Sequence, residues 1–188
     1  GTTITIDAGG CHREVADLIR EKKADYILGL KGNQGTLLAE VENFFIQVIS
    51  MNQDEWAKEC LCDYFMSEEK SRNRQEKREI WATENLEWLP QQTLWKDLKS
   101  ISCIRSTREI NKQKSTELRY YISSRAAQAE VLGKGIREHW GVENKVHYVL
   151  DVAYDEDSCR IRKDHGAENA SIIKRSVQNM IKSDKSRK

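Results

Sequence analysis

Neither sign of charge is in excess in this chain. Thirty-one Lys and Arg face 30 Asp and Glu, a formal net charge of +1. The whole surface therefore does not read as a nucleic-acid binder, and any such function must rest on local patches. Long apolar runs are missing too. None approaches the roughly 18 residues that a membrane helix needs, and no charged-then-apolar leader indicates secretion. The five cysteines, Cys11, Cys60, Cys62, Cys103 and Cys159, include no CxxC pair. That argues against a cysteine-rich zinc site and for a reduced, cytoplasmic thiol set. Proline occurs once, as Pro90 in the loop segment WLPQQT. There is no internal repeat and no low-complexity tract.

What is present is a soluble globular balance, 38% hydrophobic and 32% charged over 188 residues. That suffices for one domain with a small inserted subdomain. The β-branched run Thr-Ile-Thr-Ile predicts a first strand ending at Asp7, followed by Ala8-Gly9-Gly10. Val15, Leu18 and Ile19 give an apolar stripe to a helix over 12–23. DYILGL, 25–30, predicts a second strand, and TLLAEVENFFIQVIS, 36–50, a second helix. Strand, helix, strand and helix on short links indicate a parallel α/β unit. Residues 60–123 differ, with β-forming and basic segments that predict an antiparallel insertion. Helices are then expected over about 126–150 and 166–182. The chain opens at Gly1 almost directly into a strand, so it is expected to be the back part of something longer.

The segment REHWGVENKVHYVLDVAYDED, 137–157, contains the sharpest anomaly. Ile136, Trp140, Glu143, His147 and Leu150 share one face of a helix, beside Val142, Val146 and Val149. A carboxylate on that apolar stripe needs compensation, because an unpaired buried charge costs several kcal/mol or more. A salt bridge to Arg137 or a hydrogen bond to His147 is one solution. A divalent ion shared with Asp7, at the carboxyl end of a predicted parallel strand, is another. Carboxylate oxygens with open positions suit Mg²⁺ or Mn²⁺. Asp7 can equally cap the helix that follows it. His139, Glu143 and His147 also form an i, i+4, i+8 set, a zinc half-site without the HExxH arrangement. KGNQG, 31–35, lacks the GK[ST] of a phosphate loop and reads as a turn, with Lys31 a phosphate contact. KSRNRQEKR (70–78), Arg105/Arg108/Lys112/Lys114 and RIRK (160–163) are basic runs suited to a phosphate backbone or to plain solvation.

The motifs TIDAGGC, ADYILGLKGNQGTL, RYYISS, REHWGVENKVHYVLDVAYDED, RIRK and ENASIIKRS occur in order along nearly the whole chain. In this it resembles bacterial insertion-sequence transposases of the DDE type, in the H-repeat-associated group. The resemblance implies a ribonuclease-H-like α/β catalytic core, amino-terminally truncated here, spanning 1–188 with a β-rich insertion at about 55–123. It implies three acidic metal ligands, with Asp7 on the second and Glu143 on the third. It implies Mg²⁺ or Mn²⁺ as cofactor, DNA as partner, a homodimer when complete, and a bacterial cytoplasmic, nucleoid-associated setting away from membranes. Lys31, Arg137, His139, Trp140, Asn144, His147, Arg160 and Arg162 are the residues expected near DNA. His139 stands where related transposases have an Arg, Ile136 where they have a Tyr, and Leu150 where they have a Lys. The first acidic ligand is expected upstream of Gly1, since Asp17 lies mid-helix and Asp25 begins a strand. The expected function is therefore the carboxyl-terminal part of an enzyme of metal-dependent DNA cleavage and strand transfer, inactive by itself. Its rivals are a non-catalytic DNA-binding remnant and a zinc-dependent hydrolase.

Overall fold

A computed structural model describes residues 1–71, 74–142, 152, 160–161 and 163–183. The chain forms two units, Gly1–Arg137 and Glu138–Lys188. In the first, β1 (Thr3–Ile6) is followed by α1 (Arg13–Glu21), β2 (Asp25–Leu30), α2 (Gly35–Ser50) and α3 (Gln53–Glu59). Next come β3 (Cys62–Ser71), β4 (Arg74–Thr83), β5 (Ser100–Ile110) and β6 (Gln113–Ser123). Helix α4 (Ala129–Val142) starts in the first unit and ends in the second, which also holds α5 (Gly166–Ser183). The predicted helix start at 126 is therefore three residues early, because 126–128 are not helical. The predicted continuation to 150 lies outside the described residues. Helix α3 was not foreseen.

The six strands make one sheet in the order β1-β2-β6-β5-β4-β3. Only β1 and β2 are parallel, in register from Thr3↔Asp25 to Ile6↔Leu28. Every later pair is antiparallel. The parallel unit read from the sequence thus stops after one pair. The antiparallel segment is not a separate sheet, because β6 adds directly to β2. The junction is sealed by side chains: Ser123 Oγ donates to the Tyr26 carbonyl at 2.7 Å, and the Tyr26 N–H donates to Ser124 Oγ at 3.0 Å. Arg20 of α1 pins the same edge through Asp25 at 2.5 Å and Asp97 at 2.8 Å.

Helix α2 buries Leu37, Val41, Phe45 and Val48, the i, i+4, i+8, i+11 stripe that helical spacing predicts. Those side chains, with Ala16 and Ile19 of α1, cover Tyr26, Leu28, Ile101, Cys103, Tyr120 and Ile122 on one sheet face. Pro90 opens a short 3-10 turn, and Trp88 just before it stacks on Phe44 with ring centroids 4.7 Å apart. The other face receives α4. A Cβ on Gly133 would fall 2.5 Å from Ile80 Cδ1, and one on Gly135 3.1 Å from Ile27 Cδ1. Glycine in a helix interior costs about 1 kcal/mol relative to Ala; here it allows the helix backbone to approach the sheet closely. The Ala129 N–H at the start of α4 is capped from afar by Asp63 of β3, at 2.8 Å.

Beyond the apolar core the meander is held by charge. Glu76 and Glu79 of β4 are buried, at 4% and 6% exposure. Glu76 accepts from Arg74, Arg78 and Arg108 at 2.7, 2.7 and 3.1 Å. Glu79 accepts from Arg105 at 2.8 Å, from Lys77 at 3.2 Å and from the Tyr64 hydroxyl at 3.1 Å. Burial raises both carboxyls, but the hydrogen bonds and charges of these cations outweigh it and hold both below the usual carboxylate range. Burial, reinforced by the Glu79 charge, pushes the Tyr64 hydroxyl up to about 12.

A group whose folded pKa is lowered stabilises the fold above its unfolded value and loses that contribution as pH falls through the folded value. Stability should therefore be level down to about pH 4.3, the ordinary glutamate value, and fall below it. Urea midpoints between pH 3 and 6 are the measurement. Glu76→Gln with Glu79→Gln should lower stability at pH 6 and flatten this acid limb.

Candidate active site

Asp7 follows β1 directly, at the carboxyl end of the parallel β1–β2 pair, and is exposed. Its Oδ1 accepts from the Gly10 N–H at 3.3 Å, so it caps the 3-10 turn Ala8–Gly10. The expected cap on α1 is not made: His12 stands at the N-cap of that helix without a side-chain hydrogen bond, and Asp7 caps the short turn before it. The turn is tight. A Cβ at Gly10 would lie 2.4 Å from Ile6 Cγ2, and one at Gly29 of β2 would lie 3.4 Å from the Ala8 nitrogen. Glycine at Gly29 allows the turn to lie against β2.

A second segment latches this turn. Asn33 Nδ2 donates to the Ala8 carbonyl at 2.8 Å and to the Cys11 carbonyl at 3.3 Å. Gln34 Nε2 donates to the Cys11 carbonyl at 2.9 Å. His12 Nε2 sits 3.1 Å from the Gly9 carbonyl. The KGNQG turn is thus more than a connection: its two amides fix the backbone that carries Asp7. Sequence reasoning missed both residues. The available signal was a pair of amide side chains at the end of a buried strand. Cys11, at 0% exposure, closes the latch from beneath, and burial pushes its thiol up to about 12.

Lys31 follows β2 as Asp7 follows β1, so the two occupy neighbouring positions at one sheet edge, and Lys31 is exposed. Arg137 of α4 pairs with Glu69 of β3. Whether Arg137 also meets Glu143 lies outside the described residues. His139 lies half-buried on α4, Trp140 follows it there, and Arg160 is exposed in the second unit. Glu143, Asn144, His147 and Arg162 lie outside the described residues, so the zinc set of His139, Glu143 and His147 is described only at His139. Ile136, the first member of the predicted stripe, is buried at 5% exposure.

Among the described residues no group of three or more His, Cys, Asp or Glu is placed to hold a metal ion. Asp7 is an exposed oxygen donor of the type hard divalent cations take, and its expected co-ligand Glu143 is not described. Among the described residues no helix is long and apolar enough to cross a membrane.

Residues 1–180 match the transposase DDE domain, and the chain belongs to that family. Among curated proteins, "Putative transposase YncI" of Escherichia coli O157:H7 is 39% identical over 184 residues, covering 95% of this chain and 45% of that protein. "H repeat-associated putative transposase YhhI" of Escherichia coli K12 is 36% identical over 190 residues, 98% of this chain and 48% of that protein. "Putative protein YbfL" of the same strain is 37% identical over the same shares. The chain therefore spans about half the length of the curated relatives it matches. No solved structure matches it.

A side-chain hydrogen bond contributes about 1 kcal/mol. Asn33→Ala with Gln34→Ala should therefore open the Asp7 turn locally by about 1–2 kcal/mol, a factor of roughly 5–30 in the open population. Labelling of Cys11 by a thiol reagent should accelerate by that factor, while Cys103, buried in β5, should label as before. Equal acceleration at both thiols would mean global loosening and no latch.

Proposed function

We propose that this chain is the carboxyl-terminal part of a ribonuclease-H-like DDE transposase core, spanning 1–188 with a β-rich insertion at about 55–123. The observation that carries the reading is the Asp7 carboxylate. It stands exposed at the carboxyl end of a parallel strand, in a turn fixed by Asn33 and Gln34, in a chain of the transposase DDE domain family. The intact enzyme cuts DNA at element ends and joins the 3′ hydroxyl to a target phosphate, working as a homodimer on paired ends in the bacterial cytoplasm at the nucleoid.

Asp7 and Glu143 are the acids of this chain that hold Mg²⁺ or Mn²⁺. When bound, such ions activate the attacking hydroxyl and stabilise the leaving oxygen of phosphoryl transfer. Asp7 contributes a carboxylate whose orientation is set before any ligand arrives, because its backbone is held from two sides. Lys31 at the same edge offers a point charge to a phosphate. His139, Trp140, Asn144, His147, Arg160 and Arg162 are the further residues of this reading that contact DNA. Arg137 joins them with the donors that its ion pair to Glu69 leaves unused, since that side chain stays about half exposed. Family membership does not favour the zinc hydrolase.

Mn²⁺ titration followed calorimetrically is the test. Asp7→Asn and Glu143→Gln should each weaken Mn²⁺ binding about tenfold or more, and unchanged affinity in either variant would falsify the shared site. The 188 residues supply motif matches for two of the family's three acids. Incubated with supercoiled plasmid and Mg²⁺, the chain should leave it intact; metal-dependent nicking would overturn that expectation.

A further inference from the structure

Strand register sorts the charges of the meander in a way that their order in the chain hides. Cross-strand partners share a face, and alternate residues change face. Lys77↔Thr107↔Thr116 and Gln75↔Glu109↔Lys114 therefore lie on the face that continues the α1–α2 core. Glu76↔Arg108 and Arg78↔Ser106 lie on the face that receives α4. The basic run Arg105/Arg108/Lys112/Lys114 is consequently no single patch: Arg105 and Lys114 take one face, Arg108 the other, and Lys112 the turn.

The two faces differ in charge balance. On the core-side face a groove of about 390 Å³ is lined by three carboxylates, Glu68, Glu79 and Glu109, and three cations, Lys77, Arg105 and Lys114. It is neutral. On the α4 face, Arg74, Arg78 and Arg108 converge on the single buried carboxylate Glu76. Glu69, 3.6 Å from Arg78, is shared with Arg137. Four guanidiniums thus meet two carboxylates, and two positive charges remain uncompensated among the described residues. The guanidiniums of Arg74 and Arg108 are fixed at one end by Glu76, yet their side chains stay 47% and 40% exposed. Each guanidinium has five donors, and the contact with Glu76 engages one nitrogen of each. Such a group presents the remaining donors without paying again to order its side chain. Oxyanions are the ligands that match a planar fork.

We propose that Arg74, Arg78 and Arg108, gathered by Glu76 on the α4 face of the β3–β6 meander, form a docking site for the phosphate backbone of duplex DNA. The choice of DNA rests on the transposase reading above; the site itself lies apart from Asp7 and uses none of its residues. Glu76 acts here as an organiser: it holds the three cations together and never meets the ligand.

The experiment is fluorescence anisotropy of the 188-residue chain with a labelled duplex of random sequence, over a series of KCl concentrations. Each phosphate neutralised contributes about 0.9 to the slope of log K against log salt. Arg74→Gln with Arg108→Gln should reduce that slope by about 2 and weaken binding tenfold or more at low salt. Lys77→Gln with Lys114→Gln, in the neutral groove, should leave slope and affinity within twofold of the parent. Because the first pair leaves Glu76 short of partners, the triple variant R74Q/E76Q/R108Q is measured too. It removes the buried charge together with its cations and should lose the same slope. The proposal is overturned if the neutral-groove pair loses as much as the arginine pair. It is equally overturned if the triple variant binds like the parent, or if the parent shows no salt-dependent DNA binding. Mn²⁺ titration of the same samples separates the two ideas. Arginine variants should keep their Mn²⁺ affinity, whereas Asp7→Asn should lose it and retain the slope.

Discussion

The β2–β6 junction is the constraint on which the rest depends. A parallel pair of four and six residues has little hydrogen-bonded length of its own, and two strands alone are marginal in water. By accepting β6 along its free edge, β2 becomes a central strand and the meander becomes its lateral support. Tyr26 is the hinge of that union. Its backbone N–H and carbonyl are both satisfied by the serine pair at the end of β6, and its hydroxyl donates to the Lys96 carbonyl at 3.0 Å. Position follows from this at both ends. The carboxyl ends of β1 and β2 are fixed against the core, so Asp7 and the KGNQG turn meet in a set geometry. Helix α4 finds one continuous face, with Thr5 and Ile27 on one side and Ile80 on the other, and needs glycine to lie against it.

The meander solves a different problem. Its inner half is apolar on both faces, but its outer half reaches beyond any covering helix on the core side. A twisted sheet there has no hydrophobic partner, and cross-strand charge replaces it. Burying Glu76 and Glu79 is costly in itself; surrounding each with two or three cations offsets that cost and fixes the register. Slipping β4 against β5 by one residue would send every one of these groups to the wrong face. The same ion pairs that hold the ribbon thus also decide which surface carries surplus positive charge. Stability and recognition are consequences of one arrangement here, which is why the arginines cannot be assigned to either role from their positions in the chain.

Much was legible beforehand because it is local. β-branched alternation marked β1, helical spacing marked α2 and α5, and the ordered motifs marked the family. Asp7 at the end of its strand was legible for the same reason. Three features were not. Helix α3 carries only seven residues, too few for periodicity to register. Asn33 and Gln34 read as ordinary turn residues, because their partners Ala8 and Cys11 lie more than twenty positions away. The ion pair from Arg137 of α4 to Glu69 of β3 was not foreseen, because the two stand far apart in the chain.

The sequence by itself determined which segments other than α3 become helix or strand, the placement of an acid after a β-branched run, and membership of the transposase DDE domain family. These depend on side-chain period, turn chemistry and residue order, each contained within a short window. Only the tertiary structure decided that one parallel pair joins an antiparallel meander, that two amides hold the Asp7 turn, and that basic residues adjacent in the chain part to opposite faces. Those outcomes depend on which strands pair and in what register. That choice is made by burial and by long-range hydrogen bonds, which no local window contains.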